Sequence, residues 1–151
     1  MKIGLQIPRF TWPGSPHTTA GILRDIAQTA DSAGFASIWV MDHFFQLEPM
    51  FGQAEEPMLE SYTPSRTLPP LLKMSNWESL VTGIIYRHPG YLIKAVTNLD
   101  VLSSGRVYLG VGAAWYDREA AGLGFPFRRC LSGLGGWKKR CNWLTRCGPH
   151  L

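Results

Sequence analysis

The chain alternates short apolar runs of strand length with segments of helical character, and this alternation limits the folds that it can adopt. Strands are predicted to start near residues 3, 37, 79 and 107, in KIGLQI, ASIWVM, SLVTGII and RVYLGVG. Strands separated by helices pair in parallel through right-handed crossovers. The predicted fold class is therefore α/β, and the spacing of about 30–40 residues is that of the repeating unit of a (β/α)8 barrel.

Helices are predicted between the strands from their apolar spacing and their end signals. The first runs from Thr19 to Ala33 with Gly34 as its stop, and the second begins at Pro89 and ends near residues 103–105. A short third helix is capped by Asp117 and stops at Gly122. The predicted buried faces are Ile22, Ile26, Ala30 and Ala33 in the first helix and Leu92, Val96 and Leu99 in the second.

Four β/α units make the N-terminal half of a barrel, since a complete one needs about 250 residues. ASIWVM is apolar enough for a strand that is buried on both faces. A half-barrel leaves two parallel sheet edges open, and open edges invite association unless something covers them. One way to cover them is a homodimer that completes the barrel.

The net charge of +4 is unevenly distributed along the 151 residues. Six basic and no acidic residues follow residue 127, so the first 127 residues hold nine basic and eleven acidic groups. This distribution argues against a nucleic-acid-binding fold. In the tail, Trp137 with Lys138, Lys139 and Arg140 has the composition of a nucleic-acid patch, but a solvated tail is the preferred interpretation.

The cysteines and the apolar runs bear on metal binding and location. Cys130, Cys141 and Cys147 lie in the tail with His150, without a paired C-x-x-C spacing, so free thiols are favoured over a zinc site. No apolar run has the length of a membrane span, and the N-terminus lacks a signal-peptide core. We therefore expect no metal site, no membrane partner and a cytoplasmic location.

Polar residues cluster where the predicted strands end, which is where parallel α/β folds bind ligands. The clusters are residues 6–9, Asp42-His43, residues 82–88 and residues 110–119. A histidine beside an aspartate at a strand end can act as a general acid or base near neutral pH. The alternative is a capping Asp42 next to a packed His43. The position of the pair at the ligand-binding edge favours the functional interpretation.

The segment GVGAAW places small residues directly after a strand, so that backbone can approach a planar or phosphorylated ligand closely. It lacks the third glycine of a dinucleotide-binding fingerprint. Close packing at a turn explains the same residues equally well.

Three segments together resemble the luciferase-like monooxygenase superfamily, in particular its deazaflavin-dependent oxidoreductase branch. They are KIGLQIPRF, GFASIWVMDHFF and TGIIYRHPGYLIKAVTNLDVLSSGRVYLGVGAAWYDREAAGLGFPF, and the match covers roughly residues 1–63 and 79–127. The resemblance implies a (β/α)8 barrel that binds coenzyme F420, with FMN as the alternative, and passes a hydride to or from a small organic substrate.

The resemblance also implies roles for individual residues. His43 would be the acid/base residue near the cofactor ring, with Asp42 beside it as a second catalytic residue and cofactor contact. A bulge with a non-proline cis peptide would back the ring near Ser79 and Leu80, with Thr82 as a further cofactor contact. Ala113 and Ala114 match the loop after strand four that lines the cofactor.

Two features depart from the family pattern. Trp115 stands where some deazaflavin dehydrogenases carry a glutamate, while Glu119 is nearby but not in the matching position. The later half of the barrel, which supplies much of the cofactor-phosphate site, is missing from the match.

Residues 64–78 have neither helical nor strand periodicity, and both this segment and residues 128–151 permit a family-like sequence in another reading frame. Back-translation of residues 73–78, read from the third base of the first codon, gives RAT GTC NAA YTG GGA, which encodes Asn or Asp, Val, Lys, Gln or Glu, Leu and Gly. The tail permits an amphipathic helix in the same way. We hypothesise that both stretches are out-of-frame translation and that the second shift shortened the chain.

Residues 1–127 are thus predicted to be a partial barrel domain containing an anomalous segment at 64–78, with 128–151 as a basic tail outside the fold. The predicted function is hydride transfer of the luciferase-like type, impaired by truncation. The alternatives are a non-catalytic remnant and, less favoured, a nucleic-acid-binding module that uses the tail.

Overall fold

The computed structural model describes residues 1–68, 72 and 76–125. Four strands alternate with four helices along this part of the chain. The elements are β1 (Gly4–Ile7), α1 (Thr19–Ser32), β2 (Ser37–Val40), α2 (Pro64–Thr67), β3 (Asn76–Gly83), α3 (Pro89–Leu102), β4 (Val107–Gly112) and α4 (Asp117–Leu123). The predictions about the cysteines and the tail concern residues outside this described part.

The four strands form one parallel sheet in the order β1-β2-β3-β4, as the sequence predicted. Each strand lies beside its neighbour in sequence, because a right-handed helical crossover returns the chain to the adjacent position. The carboxyl ends of all four strands therefore lie at one edge of the sheet. β1 and β4 each pair with one strand in the described part of the chain.

The face with which the first helix packs on the sheet overlaps the predicted one only in part. Ala30 is buried as predicted, together with Leu23 and Ala27, in one cluster with Ile7, Ile38 and Val40. Ile26 is partly buried against this cluster, Ile22 is partly buried, and Ala33 is exposed. Small alanines on the contact face allow the helix to approach the strands closely, which places the two isoleucines at the margin of the contact.

The ends of the other helices are close to the predictions. α3 begins at Pro89 with His88 as its N-cap, and His88 Nδ1 accepts a hydrogen bond of 3.2 Å from the Gly90 amide. The predicted end of the third helix at Gly122 was wrong. α4 runs from Asp117 to Leu123 and contains Gly122, and its N-cap is Tyr116 rather than the predicted Asp117. The C-cap is Gly124, which adopts a φ of +69° that favours glycine.

The third strand begins earlier than predicted, inside the segment called anomalous. Asn76, Trp77 and Glu78 pair with β2, and Trp77 joins the core beside α1 with 2 % of its surface exposed. Within the same segment, α2 is a single helical turn from Pro64 to Thr67. The absence of strand periodicity from residues 76–78 follows from the charged Glu78, which interrupts the apolar pattern.

The two faces of the sheet differ in their burial. On the helix side Ile38 and Val40 are fully buried, whereas on the other face Trp39 is partly exposed and Tyr108 is 59 % exposed. The prediction that the second strand is buried on both faces was therefore wrong for this second face. Among the described residues, no helix combines the length and the apolar character that crossing a membrane requires.

Candidate functional site

A cavity of about 680 Å³ lies at the carboxyl ends of the strands. It is lined by Met41, Asp42, His43, Leu47, Leu80, Val81, Gly83, Tyr86, Gly112, Ala113, Ala114, Trp115 and Asp117. Three of the four predicted clusters meet there. The exception is the cluster of residues 6–9, where the Arg9 guanidinium forms an ion pair of 3.2 Å with Glu56.

The back wall of the cavity is a bulge in β3. The register with β4 shifts between Ser79 and Thr82, and the peptide bond between Leu80 and Val81 is cis. The resemblance implied both features near Ser79-Leu80, so the cis bond lies one residue further along. Leu80 and Val81 remain 43 % and 42 % exposed, as an apolar wall.

A glycine in β4 allows this wall to form. A Cβ placed on Gly112 would lie 2.7 Å from Val81 Cγ2, closer than a side chain tolerates. The sequence left two roles open for the small residues of GVGAAW, close packing at a turn and close approach to a ligand, and the structure is consistent with both. Gly112 is needed for close packing against the bulge, while Ala113 and Ala114 line the cavity.

His43 lies in the cavity wall and pairs with a carboxylate from the distant helix α4. Its Nδ1 is 3.0 Å from Glu119 Oε2, and the His43 side chain is 13 % exposed. Trp115 and Tyr116 contact the ring edge to face, with ring centroids 6.1 and 6.2 Å from that of His43. Of the two ring nitrogens, Nδ1 is therefore occupied by the protein.

Glu119 is fully buried and receives hydrogen bonds from several donors. The backbone amides of Phe44 and Phe45 donate to Oε1, the latter over 2.9 Å, and the Tyr86 hydroxyl donates to Oε2. Burial alone raises the pKa of a carboxyl, but the hydrogen bonds from His43, Tyr86 and these two amides outweigh it. The pKa of Glu119 is therefore lowered, and the buried carboxylate is ionised.

Tyr86 stays protonated beside this carboxylate. Its burial and its hydrogen bond to Glu119 raise the pKa of the phenol. A phenol that keeps its proton is a donor to the carboxylate rather than a second anion.

Asp42 faces inward beside His43 and is fully engaged by protein donors. Arg87 binds both carboxylate oxygens, with contacts of 2.6 and 2.8 Å. Ser61 Oγ donates over 2.9 Å and the Gly83 amide over 3.0 Å. Arg87 also contacts the Glu60 carboxylate, and its guanidinium lies 4.5 Å from the centre of the Tyr62 ring. The Asp42 carboxylate thus joins the loop after β2 to the turn after β3.

Ser79 and Thr82 lie in the bulged strand, but their side chains are turned away from the cavity. Thr82 is fully buried with its hydroxyl 2.7 Å from the Tyr62 hydroxyl, and burial raises the pKa of Tyr62 to about 12. Ser79 is 8 % exposed and lines a small pocket next to α3. Of the residues predicted for the site, Asp42, His43, Leu80, Ala113 and Ala114 therefore line the cavity together. The side chains of Ser79 and Thr82 do not.

Sequence reasoning did not identify the partners of the predicted pair. Glu119 was noted only as failing to match a family position, while Tyr86 and Arg87 were not singled out within residues 82–88. One signal was available, because Tyr86, Arg87 and Glu119 all follow parallel strands that end at the same edge. Their separation of 33 to 76 residues from their partners left the pairing itself unspecified.

No group of His, Cys, Asp and Glu within residues 1–68, 72 and 76–125 has an arrangement that could hold a metal ion. The charged groups at the site are instead paired with one another. The arrangement is suited to proton transfer at one imidazole beside an apolar cavity.

Comparison with known proteins gives relatives that share part of their length with the chain. The F420-dependent hydroxymycolic acid dehydrogenase of Mycobacterium tuberculosis is 33 % identical over 96 residues, which is 63 % of this chain and 26 % of that protein. The F420-dependent glucose-6-phosphate dehydrogenase of Kineococcus radiotolerans is 28 % identical over 111 residues, which is 72 % of this chain and 32 % of that protein. The chain thus spans about a quarter to a third of these relatives.

A solved structure shows the same fold. The oxygenating constituent of 3,6-diketocamphane monooxygenase from Pseudomonas putida, a type II Baeyer-Villiger monooxygenase in complex with FMN, superimposes with a TM-score of 0.68 at 21 % identity. The match covers 87 % of this chain and 34 % of that one. No protein-family profile matches the chain.

The two sequence relatives, the shared fold and the geometry at the strand ends agree with the resemblance read from the sequence. The fold is α/β, a four-stranded parallel sheet with alternating helices that corresponds to part of a barrel. The chain is similar in sequence to these two F420-dependent dehydrogenases, and together with the shared fold this similarity supports the luciferase-like, F420-dependent branch.

Proposed function

We propose that the cavity binds the ring of a deazaflavin cofactor, coenzyme F420, with FMN as the alternative, and that His43 exchanges a proton with a small organic substrate beside it. One observation carries the proposal. His43 lies in the wall of a 680 Å³ cavity at the carboxyl ends of the parallel strands, with its Nδ1 held by a buried carboxylate.

The cavity fits the ring part of such a cofactor. Its volume lies in the range of small-molecule sites, and its walls are mostly apolar with a few polar groups, as ligand sites are. Leu80 and Val81 form a partly exposed apolar wall, and Ala113 and Ala114 leave space opposite them. A planar ring could therefore lie between the β3 bulge and the loop after β4.

The fit is less good for the phosphate part of the cofactor. Among the described residues that line the cavity there is no lysine or arginine, although phosphate sites commonly use them. Arg87 is nearby, but its guanidinium is committed to Asp42 and Glu60. We therefore propose weak cofactor affinity and slow turnover, and a non-catalytic remnant is the alternative.

When bound, the cofactor would supply the hydride acceptor or donor, and the residues of the chain would do the rest. His43 would accept or donate the accompanying proton at the ring nitrogen that Glu119 leaves open. Asp42 is proposed as a positioning residue, since its oxygens are occupied by Arg87, Ser61 and Gly83. Ser79 and Thr82 would act through the shape of the bulge.

The first test is a cofactor titration on the purified chain, followed by fluorescence for F420 and by absorbance for FMN. We expect saturable binding with Kd at or below the order of tens of micromolar, tighter for F420. Ala113→Trp, which fills the cavity, should weaken binding about tenfold or more. Ala33→Trp, at the exposed end of α1, is the matched control and should not change it.

Failure of both cofactors to bind at tens of micromolar would contradict the proposal. Equal binding by the parent and Ala113→Trp would show that the ring lies elsewhere. His43→Ala should retain the cofactor while losing any turnover of small alcohols or ketones.

The proposed partner of the chain is a small-molecule substrate, and a homodimer is proposed as a way to cover the β1 and β4 edges of the sheet. A cytoplasmic location, the domain limits at 1–127 and 128–151, and the absence of nucleic-acid binding through the tail stay predictions.

A further inference from the structure

We infer that Glu119 is a positioning residue that holds neutral His43 in its Nδ1–H tautomer, so that Nε2 is the nitrogen available to a ligand. The assignment concerns the chain itself, and its catalytic consequence rests on the proposed function. The two residues lie 76 positions apart and meet over 3.0 Å across the edge of the cavity.

The donors around Glu119 determine which partner carries the proton. An ionised carboxylate has no proton and can only accept hydrogen bonds. Glu119 Oε1 accepts from the amides of Phe44 and Phe45, and Oε2 accepts from the Tyr86 hydroxyl. With three donors already on the carboxylate, the fourth contact at His43 Nδ1 must also be a donor. The proton of the neutral ring is therefore on Nδ1.

The location of Glu119 makes this a positioning role rather than a catalytic one. The residue is fully buried and does not line the cavity, whereas His43 does. It therefore acts on a ligand only through His43. Because its other oxygen binds the amides of residues 44 and 45, it also holds the loop on which His43 lies.

The substitution Glu119→Gln should reverse the tautomer. The two backbone amides would select the amide oxygen at the Oε1 position, which directs the NH2 group toward His43 Nδ1. Nδ1 must then accept, and the ring proton moves to Nε2. Tyr86 can rotate its hydroxyl to accept from the same NH2 group. The change preserves shape, so a difference in the tautomer reports on the donor pattern.

The test is a long-range 1H–15N correlation spectrum of the 15N-labelled chain without cofactor, at the alkaline end of a pH series where the imidazole is neutral. His43→Gln identifies the His43 signals among the four histidines. We expect Nδ1–H in the parent chain, although a histidine free in water favours Nε2–H. In Glu119→Gln we expect a change to Nε2–H.

Glu78→Gln is the matched control, since it makes the same change at another buried carboxylate that does not contact His43. It should leave the tautomer at Nδ1–H. An Nε2–H signal in the parent chain would overturn the inference, and so would an unchanged tautomer in a folded Glu119→Gln variant. If that variant does not fold, the parent spectrum decides alone.

A second readout separates this inference from the proposed function. In cofactor-loaded protein, Glu119→Gln should lower kcat by about 10²–10⁴-fold, as loss of the correct tautomer does in other imidazole enzymes, while cofactor Kd changes by less than about twofold. Parent protein that binds no cofactor would contradict the proposed function and leave the tautomer assignment standing. A parent protein that has the Nε2–H tautomer and turns over normally would contradict the tautomer assignment and leave the proposed function standing.

Discussion

At the scale of single residues, Trp77, Glu78 and Ser79 fit their surroundings least well. They are 2 %, 1 % and 8 % exposed. In the described part of the chain, the buried side-chain polar atoms without a hydrogen-bond partner all belong to these three residues. Buried polar groups are normally paired, so three consecutive exceptions require an explanation.

The shifted reading frame offers an explanation for these unpaired buried groups. When the frame of residues 73–78 is joined directly to Ser79, it encodes leucine at position 77 and glycine at position 78. Leucine suits the helix-facing core position, and glycine removes the buried carboxylate. The misfit therefore supports the hypothesis that this stretch is out-of-frame translation.

The buried Glu78 predicts an unusual dependence of stability on pH. Burial raises its pKa to about 7, so the folded chain holds a proton that the unfolded chain releases near pH 4.5. The folded state then binds more protons between these values, and the free energy of unfolding should fall as the pH rises from about 4.5 to 7. A pKa shift of this size lowers the free energy of unfolding by at most about 3 kcal/mol across this pH range.

Glu78→Gln should remove this pH-dependent part of the free energy of unfolding. The measurement is the difference in the free energy of unfolding between the variant and the parent, from urea unfolding at pH values between 4.5 and 8. The variant should be the more stable protein at pH 8 and similar at pH 4.5. Glu55→Gln, at a site 70 % exposed, is the control and should keep the parent's slope. A difference between parent and Glu78→Gln that does not vary with pH would contradict the prediction.

At the scale of elements, the site depends on how the loop after β2 is attached to its neighbours. Asp42 binds the turn after β3 through Arg87 and Gly83, and Glu119 binds residues 43–45 from α4. Two buried carboxylates thus hold the two ends of one short segment. The position of His43 is a result of both attachments.

Removal of Arg87 should be costly, because it leaves Asp42 buried without its ion-pair partner. We expect Arg87→Met to lower the free energy of unfolding by about 3–5 kcal/mol, measured by chemical denaturation. Arg118→Met is the control, since Arg118 pairs with Glu48 and Glu55 at 47 % exposure and should cost about 1 kcal/mol or less. Equal losses in the two variants would show that the buried pair does not anchor the loop.

At the scale of the whole molecule, the chain corresponds to about a quarter to a third of its relatives. The described part has the sheet, the bulge and the imidazole on which the proposed function rests, while its cavity lining has no lysine or arginine. The proposed function therefore predicts binding of the cofactor ring with little contribution from its phosphate.

The frame hypothesis makes a prediction about the whole chain that requires only the gene. Sequencing should find, at the codons for residues 64–78 and again from residue 128, a family-like continuation one or two bases away. A gene with no such continuation at either position would show that both stretches are true parts of the protein.

The sequence by itself determined the order of strands and helices, their parallel pairing, and the edge at which Asp42, His43, Ala113 and Ala114 lie. These follow from local periodicity and from the handedness of crossovers, which act over tens of residues. It also located the β3 bulge to within one residue, through the resemblance.

Only the tertiary structure decided which groups meet at that edge. The pairs His43–Glu119 and Asp42–Arg87, the inward turn of Ser79 and Thr82, and the buried state of Glu78 depend on contacts between residues far apart in the chain. Local sequence patterns do not specify such contacts, because a hydrogen bond across 76 residues depends on the packing of the four intervening elements α2, β3, α3 and β4 and not on the residues near either partner.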